Sequence, residues 1–392
     1  MPWHEESTMQ LRRQLIQDVR SGATPLTELA AAYGISRKTA YKWLARYEAG
    51  GMAALVDQSR RPTTSPTATP PELVRALLEA RAHHPTWGPR KLLRLLRQRE
   101  PHAPWPARST LALHLQRAGV VVSPRRVRRP GHPGRPQAPM DAPNAIWTVD
   151  FKGQFRLGDG ALCYPLTMAD GFSRFLLRCD GLTSTAVVGS RVVFQRAFET
   201  YGLPVRIRSD NGVPFATQAL GRLSALSVWW IRLGILPDLI EPASPQQNGR
   251  HERMHRTLKA ECARPPQATR RAQQRRFDAW RTEFNTQRPH EALGDATPAS
   301  VYRPSPRPYP RRLPALAYPA HYEVRRVSHN GGIRWQSTWV NVSQTLGGEE
   351  IGLVEIDDGE WDVYFGSLRL GRFHERTRQI EDANGRQHRR PY

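Results

Sequence analysis

The sequence predicts a multidomain chain, with all-α helix-turn-helix domains at the N-terminus, an α/β domain in the middle and a small β-barrel at the C-terminus. Three observations predict it. The hydrophobic period changes along the chain, from helical spacing over roughly the first third, to strands followed by helices, and then to alternation. Two stretches mixing proline with arginine, Pro124 to Pro143 and Arg303 to Pro319, divide the chain as semi-rigid linkers do. Finally, 392 residues exceed one domain of about 100 to 200 residues, and 39% hydrophobic with 24% charged residues supplies ordinary cores and excludes wholesale disorder.

The chain carries 58 Lys and Arg against 35 Asp and Glu, a net charge of +23 that calls for a polyanionic partner. Only Lys38, Lys42, Lys91, Lys152 and Lys259 are lysines. Arginine grips phosphates and guanine edges bidentately, so nucleic acid is favoured over a membrane surface. The charge is concentrated in residues 1–140, which hold 23 basic and 9 acidic side chains. Cys163, Cys179 and Cys262 are far apart and fit neither a disulfide framework nor a zinc ribbon, which suggests a reducing cytosol. The most apolar stretch, Leu223 to Ile240, is broken by Arg232 and Pro237, so no membrane span is expected and the protein is expected to be cytoplasmic.

In residues 8–60, Leu11, Leu15, Ile16 and Val19 share one helical face, and Thr24-Pro25 opens a second helix with Leu26, Leu29 and Tyr33 inward. Gly34 breaks it. Ser36 then caps a third helix that buries Ala40, Trp43, Leu44 and Tyr47 and leaves Arg37, Lys38, Tyr41 and Lys42 outside, the pattern of a helix-turn-helix with a basic reading helix. A generic three-helix bundle with a solvated charged face is the plain alternative. Residues 68–120 repeat the theme with Leu73, Leu77 and Leu78, then Leu92, Leu95 and Leu96 after Trp87-Gly88-Pro89-Arg90, then Leu111 and Leu115. Arg90, Lys91, Arg94 and Arg97 give its middle helix a basic flank that is read as a second DNA contact or as a solvated face. In the linker 121–143, Arg125, Arg126, Arg128 and Arg129 suit a phosphate backbone or keep the linker in solution.

The middle domain, 144–302, opens as a meander. Ile146 to Leu157, Leu162 to Ala169 and Arg174 to Cys179 alternate as strands, the last two joined by the hairpin signal Asp170-Gly171. Helix is expected over Thr183 to Tyr201, a short strand over Pro204 to Ser209, another near Ile235 to Ile240, and helices to about Asn285. Asp150 lies among apolar residues in a strand, where an ionised carboxylate is costly unless paired. Asp210 ends a strand before Asn211-Gly212, at the sheet edge where α/β sites gather, and Glu252 begins a helix. Three carboxylates from two strands and a helix suit hard divalent cations, which take oxygen ligands and keep positions open for water and phosphate.

The set Trp147-Thr148-Val149-Asp150, Ser209-Asp210-Asn211-Gly212, Pro245-Gln246-Gln247-Asn248-Gly249-Arg250-His251-Glu252-Arg253 and Asn285-Thr286-Gln287-Arg288-Pro289-His290 resembles the integrase core of bacterial insertion-sequence transposases, kin of retroviral integrases. The resemblance covers about residues 8 to 375 and is carried by the order and spacing of the pieces together. It implies an RNase H-like fold with a mixed five-stranded sheet and a triad of Asp150, Asp210 and Glu252 holding two Mg²⁺ ions, with Mn²⁺ able to substitute. It also implies double-stranded DNA, as terminal inverted repeats and target, and a homo-oligomer, dimer or tetramer, on that DNA. The 41 residues between Asp210 and Glu252 exceed the spacing in the best-known relatives, and Ser224 to Trp230 looks like the site of the extra length. No cysteine precedes Cys163, so the N-terminus reads DNA without the zinc bundle of retroviral integrases.

The neighbouring groups have plainer readings. Asp170 is explained by its hairpin, Glu241 by the Pro242 connection that follows it, and Glu261 points about 180° away from Glu252 on the same helix. Met254, Leu258 and Cys262 form an apolar stripe on that far side, and Arg256 and Lys259 lie within about 40° of Glu252, where they are expected to hold DNA phosphates. His251, His255 and His290 are read as structural, since hard Mg²⁺ prefers carboxylates. After a Pro-rich linker, 303–317, alternating runs over 318–375 suggest a small barrel whose position matches the SH3-like barrel of integrase relatives, followed by a disordered tail, 376–392. The resemblance implies a transposase that binds terminal inverted repeats, cuts 3′ ends and joins them to target DNA. A transposase-derived DNA-binding regulator and another RNase H-like nuclease are the alternatives.

Overall fold

Caps and breaks written into the first sixty residues are where the chain turns. The computed structural model describes residues 7–59, 68–121, 138–241, 249–382 and 385. The chain divides into two compact units, Met1–Ala68 and Thr69–Tyr392. The first holds α1 (Thr8–Ser21), α2 (Leu26–Ala32) and α3 (Arg37–Gly50). The Ser7 side chain accepts from Gln10 N and the Gln10 side chain answers to Ser7 N, a capping box at the start of α1. Ser36 accepts from Thr39 N at the start of α3, and Gly34 takes the left-handed backbone, φ +64°, that ends α2. Leu15, Ile16, Leu29, Ala30, Ala40 and Trp43 are buried. Leu11, expected inward, is 39% exposed at the edge of that core.

The second unit begins with α4 (Pro71–His83), α5 (Pro89–Arg99) and α6 (Arg108–Arg117), packed around Leu77, Trp87, Leu92, Leu96, Leu111 and Leu115. The loop between α4 and α5 docks on the central domain. His84 stacks on Trp87 with ring centroids 4.0 Å apart, and its Nδ1 stands 3.0 Å from Glu283 Oε1. Arg288 lies over the Trp87 ring and donates to Glu261, which also accepts from Trp280 Nε1 and from the Thr86 hydroxyl.

The central sheet is built from β1 (Ile146–Phe151), β2 (Phe155–Arg156), β3 (Leu162–Asp170), β4 (Leu176–Leu182), β5 (Arg206–Ser209) and β6 (Leu236–Leu239). Along it the order is β4-β3-β1-β5-β6, with the short β2 also on β3. β1 is antiparallel to β3 and parallel to β5, and β5 is parallel to β6. The sheet is mixed as expected but has six strands rather than five, because the expected first strand, Ile146 to Leu157, breaks after Phe151 and resumes as the short β2. Helices cover both faces. Trp147, Val149 and Ile207 pack against α7 (Val187–Tyr201) and α8 (Ala225–Arg232) through Phe194, Phe198, Trp229 and Trp230. Ala169, Leu176 and Cys179 pack against α9 (Gly249–Glu261) and α10 (Arg270–Thr286) through Met254, Leu258, Phe277, Trp280 and Phe284. The alternation of β1 therefore turns Trp147 and Val149 one way and Thr148 and Asp150 the other.

Ser224 caps α8, and the apolar residues that follow it are buried on two sides. Trp229 and Trp230 enter the central core, while Val228 and Ile231 enter the core of the C-terminal module. That module contains β7 (Glu323–Arg326), β8 (Gly332–Trp335), β9 (Thr338–Asn341), β10 (Glu350–Asp357), β11 (Glu360–Phe365), β12 (Leu368–His374) and β13 (Gln379–Glu381). It departs from the expected barrel. The five strands β13-β12-β11-β10-β7 form an open antiparallel sheet, and β8-β9 form a separate hairpin. Residues 379–381 also add an edge strand where a disordered tail was expected, because Ile380 is buried against the module's core and pairs with Phe373. Among the described residues no helix is long and apolar enough to cross a membrane. The linker arginines 125, 126, 128 and 129 lie outside the described residues.

Glu261 is the hinge pin of the docking loop: its side chain and that of Arg288 are 13% and 9% exposed. Glu261→Ala leaves a buried guanidinium unpaired and is expected to destabilise the second unit by about 3 kcal/mol. Urea denaturation of the full chain checks this, and an unchanged transition would mean that the pair is not a structural clasp.

Candidate active site

Asp150 and Asp210 are brought together by strand register. The parallel pairing of β1 and β5 sets Thr148 beside Arg208. Two residues further on, Asp150 stands in β1 and Asp210 follows the last residue of β5, close enough for its charge to act on Asp150 at the C-terminal edge of the sheet. The turn after β5 is fixed by Asn211 Nδ2 donating to Ile240 O at 2.9 Å, and Gly212 N lies 3.3 Å from Asp210 Oδ1. Glu252 sits on the first turn of α9, exposed to solvent.

The electrostatics of Asp150 register this convergence. Its carboxyl is pushed up to about 7, first by burial and then by the charge of Asp210, with Glu252 adding to the effect; the Phe151 N–H and Lys152 oppose it. A divalent cation is the counter-charge that such a set of carboxylates needs, and oxygen donors are the ligands that Mg²⁺ takes. The donor chemistry therefore fits. Among the described residues, however, no three His, Cys, Asp or Glu side chains already stand together as a metal cluster.

The other acids near the triad are occupied elsewhere. Asp170 is 1% exposed and accepts from Asn144 N at 2.7 Å, Ser173 N at 2.8 Å and the Ser173 hydroxyl at 2.6 Å. Glu261 serves the docking loop. The face assignment of α9 holds residue by residue, with Met254, Leu258 and Cys262 buried and Arg256 and Lys259 exposed. Burial pushes the Cys262 thiol up to about 12, so it is an inert core group.

The basic residues divide. Arg37, Lys38, Tyr41 and Lys42 are all exposed on α3. Arg90 is 2.6 Å from Glu291 and 2.9 Å from Asp295, and Lys91 is half-buried beside Arg288, where burial and then that neighbouring charge lower it to about 8. The start of α5 thus faces the central domain, whereas Arg94 and Arg97 remain exposed.

Sequence reasoning missed what the histidines do. His251 and His255, four residues apart on α9, are both buried and approach the β1 and β3 side chains that flank Asp150. Burial pushes their imidazoles down, to about 3 and about 2, so both are neutral. His255 Nδ1 lies 3.5 Å from Asp150 Oδ2. The i, i+4 spacing of two histidines beside Glu252 was the available signal.

Residues 140–245 match a family model described as an integrase core domain, and residues 233–298 match a second one. Residues 11–63 match a helix-turn-helix domain and residues 39–111 a homeodomain-like domain. An insertion element IS407 protein of 31.7 kDa from Burkholderia multivorans is 31% identical over 186 residues, 46% of this chain and 64% of that protein. An insertion element IS476 protein of 39.2 kDa from Xanthomonas euvesicatoria is 30% identical over 178 residues, 45% of this chain and 49% of that protein. The Gag-Pol polyprotein of avian reticuloendotheliosis virus is 33% identical over 124 residues, 31% of this chain and 10% of the polyprotein. The chain thus spans less than two thirds of the insertion-element relatives it matches.

Because the Asp150 carboxyl is raised, the protonated form stabilises the metal-free fold. That contribution is fully present below the ordinary value of 3.8 and is lost as pH rises through about 7. In EDTA, Asp150→Asn is therefore expected to gain stability over the wild type at pH 8, on the order of 2 kcal/mol, with the difference shrinking toward pH 4. Urea titrations across that range check it, and a difference that does not vary with pH would count against the crowding of charge at this edge.

Proposed function

The chain carries an integrase core domain behind helix-turn-helix domains, as insertion-sequence transposases do, and on that premise we propose that it is the transposase of a bacterial insertion sequence. It binds the terminal inverted repeats of its element, cleaves DNA at the 3′ ends and transfers those ends into target DNA. The observation that supports this reading is the parallel pairing of β1 and β5, which ends two residues before Asp150 and Asp210, with both Asp210 and Glu252 close enough to push the Asp150 carboxyl up.

Asp150, Asp210 and Glu252 would hold two Mg²⁺ ions, for which Mn²⁺ substitutes. Bound there, the ions supply activation of the attacking water or 3′-hydroxyl and neutralisation of the leaving oxygen, so cleavage and joining use one site. The protein's own contribution is placement. β1 carries Asp150, the turn that leaves β5 carries Asp210, and the apolar stripe of α9 anchors the helix that presents the third. Arg256 and Lys259 lie on the exposed side of that helix and hold phosphates of the terminal nucleotides, aligning the scissile bond for in-line attack. On α3, Arg37, Lys38, Tyr41 and Lys42 read the terminal repeat, and the arginines of the 121–143 linker follow the phosphate backbone. The bound form is a homo-oligomer, since the two ends of one element must be held together for transfer.

Asp150→Asn, Asp210→Asn and Glu252→Gln are each expected to abolish cleavage and joining while leaving binding to the terminal repeat nearly intact, since shape is kept and only the charge is removed. A strand-transfer assay with the element's own ends checks them; near-wild-type joining in Mg²⁺ by any one removes that residue from the triad. Neutralising Arg37, Lys38 and Lys42 and truncating Tyr41 together is expected to relax sequence preference more than overall affinity. Footprints that stay unchanged would move recognition off α3.

A further inference from the structure

Behind the carboxylate edge, five side chains form a line from the sheet to α9 and back to Asp150. Thr148 Oγ1 lies 2.9 Å from His251 Nδ1, and His251 Nε2 lies 2.7 Å from Thr167 Oγ1. Thr167 Oγ1 is 2.7 Å from His255 Nε2, and His255 Nδ1 is 3.5 Å from Asp150 Oδ2. Thr148, His251, Thr167 and His255 are each at most 5% exposed. Buried polar groups of this kind are kept because they are paired, so where each proton sits is a question with an answer.

Thr167 has one hydroxyl proton, and besides the two imidazoles it has the Asp150 carbonyl at 3.0 Å. That carbonyl already has a donor. Lys152 N donates to Pro165 O across β1 and β3, and Asp150 stands opposite Thr167 in the same ladder. The alternation of antiparallel pairs therefore makes Asp150 and Thr167 a hydrogen-bonded pair through their backbones. The same alternation gives Ala169 O, 3.2 Å from the Thr148 hydroxyl, a backbone donor, so neither carbonyl depends on the hydroxyl near it, although each has a second lone pair that could take it. Thr148 then donates to His251 Nδ1, His251 Nε2–H donates to Thr167, and the Thr167 hydroxyl donates to His255 Nε2. A neutral imidazole has one proton, so that of His255 is left on Nδ1, toward Asp150. The opposite placement would aim a bare Nδ1 lone pair at a carboxylate.

We propose that His255 is a positioning residue whose Nδ1–H, fixed by Thr167, orients Asp150 through Oδ2 so that the other carboxylate oxygen is presented to a divalent cation. Ligating carboxylates are commonly held in this way by a group that does not touch the metal. The 3.5 Å separation is longer than a formed hydrogen bond, as is usual where partners close only in the loaded site. The inference rests on Asp150 being a metal ligand, and it gives His255, otherwise a packing residue, a role toward that ligand.

Two substitutions separate orientation from packing. The amide of His255→Asn stands near the position of Nδ1 and keeps the donor to Asp150 while losing Thr167; that of His255→Gln reaches the position of Nε2 and does the reverse. Mn²⁺ binding is read from the thermal stabilisation of the full chain over a Mn²⁺ titration, beside the metal-free melting temperature and the strand-transfer KM for DNA. His255→Gln is expected to raise the half-saturating Mn²⁺ concentration about tenfold with the KM for DNA unchanged, and His255→Asn to stay within about threefold of wild type. Thr167→Val, which keeps shape but removes control of the tautomer, is expected to follow His255→Gln. Wild-type Mn²⁺ binding by His255→Gln and Thr167→Val, or equal losses in the Asn and Gln variants, would overturn the proposal. Asp150→Asn is the separate control: if it keeps the Mn²⁺ stabilisation, the ligand assignment itself fails, whereas its loss beside an unaffected His255→Gln removes only the role of His255.

Discussion

As the metal ligand proposed above, Asp150 would have to be ionised at a partly buried sheet edge with two like charges near it, and the central sheet and α9 hold those charges close. Desolvation and neighbouring carboxylates both favour the protonated form, which cannot hold a cation well. The conflict persists because each carboxylate is fixed by a different element. β1 and β5 are locked by parallel pairing inside a sheet covered on both faces, so Asp150 and Asp210 cannot drift apart at low cost.

The helix α9 reconciles three demands through its periodicity. One stripe, Met254, Leu258 and Cys262, anchors it on the sheet; a second, His251 and His255, reaches the polar side chains of β1 and β3; the exposed side carries Glu252, Arg256 and Lys259. Beyond it, the clasp of Glu261, Arg288 and Trp87 ties the second helical trio to the central domain. The second helical trio and the carboxylates thus belong to one compact unit. The C-terminal module is joined to the central domain through α8, whose apolar residues enter both cores.

Much of this was legible in the sequence, for physical reasons. Ser36 and Gly34 mark the ends of helices by local chemistry, and Asp150, Asp210 and Glu252 stand out because a strand, a tight turn and a helix start are each recognisable over a few residues. What stayed hidden depends on distant pairing. His84 meets Glu283 and Arg90 meets Asp295 across about two hundred residues, so a basic flank that reads as a DNA surface is partly a docking surface. Leu11 differs because helical phase places it at the rim of the core, where the period alone cannot tell rim from centre. Strand β13 exists only because β12 is beside it, and whether a run of strands closes into a barrel or stays open depends on whether its two edges meet, which no local alternation encodes.

The central claim, that these carboxylates are a divalent metal site, is tested most directly by anomalous scattering from crystals of the protein soaked in Mn²⁺. Anomalous density within ligand reach of the Asp150, Asp210 and Glu252 carboxylates is expected. Density seated elsewhere, or an empty edge at Mn²⁺ concentrations that saturate the protein in solution, would contradict it.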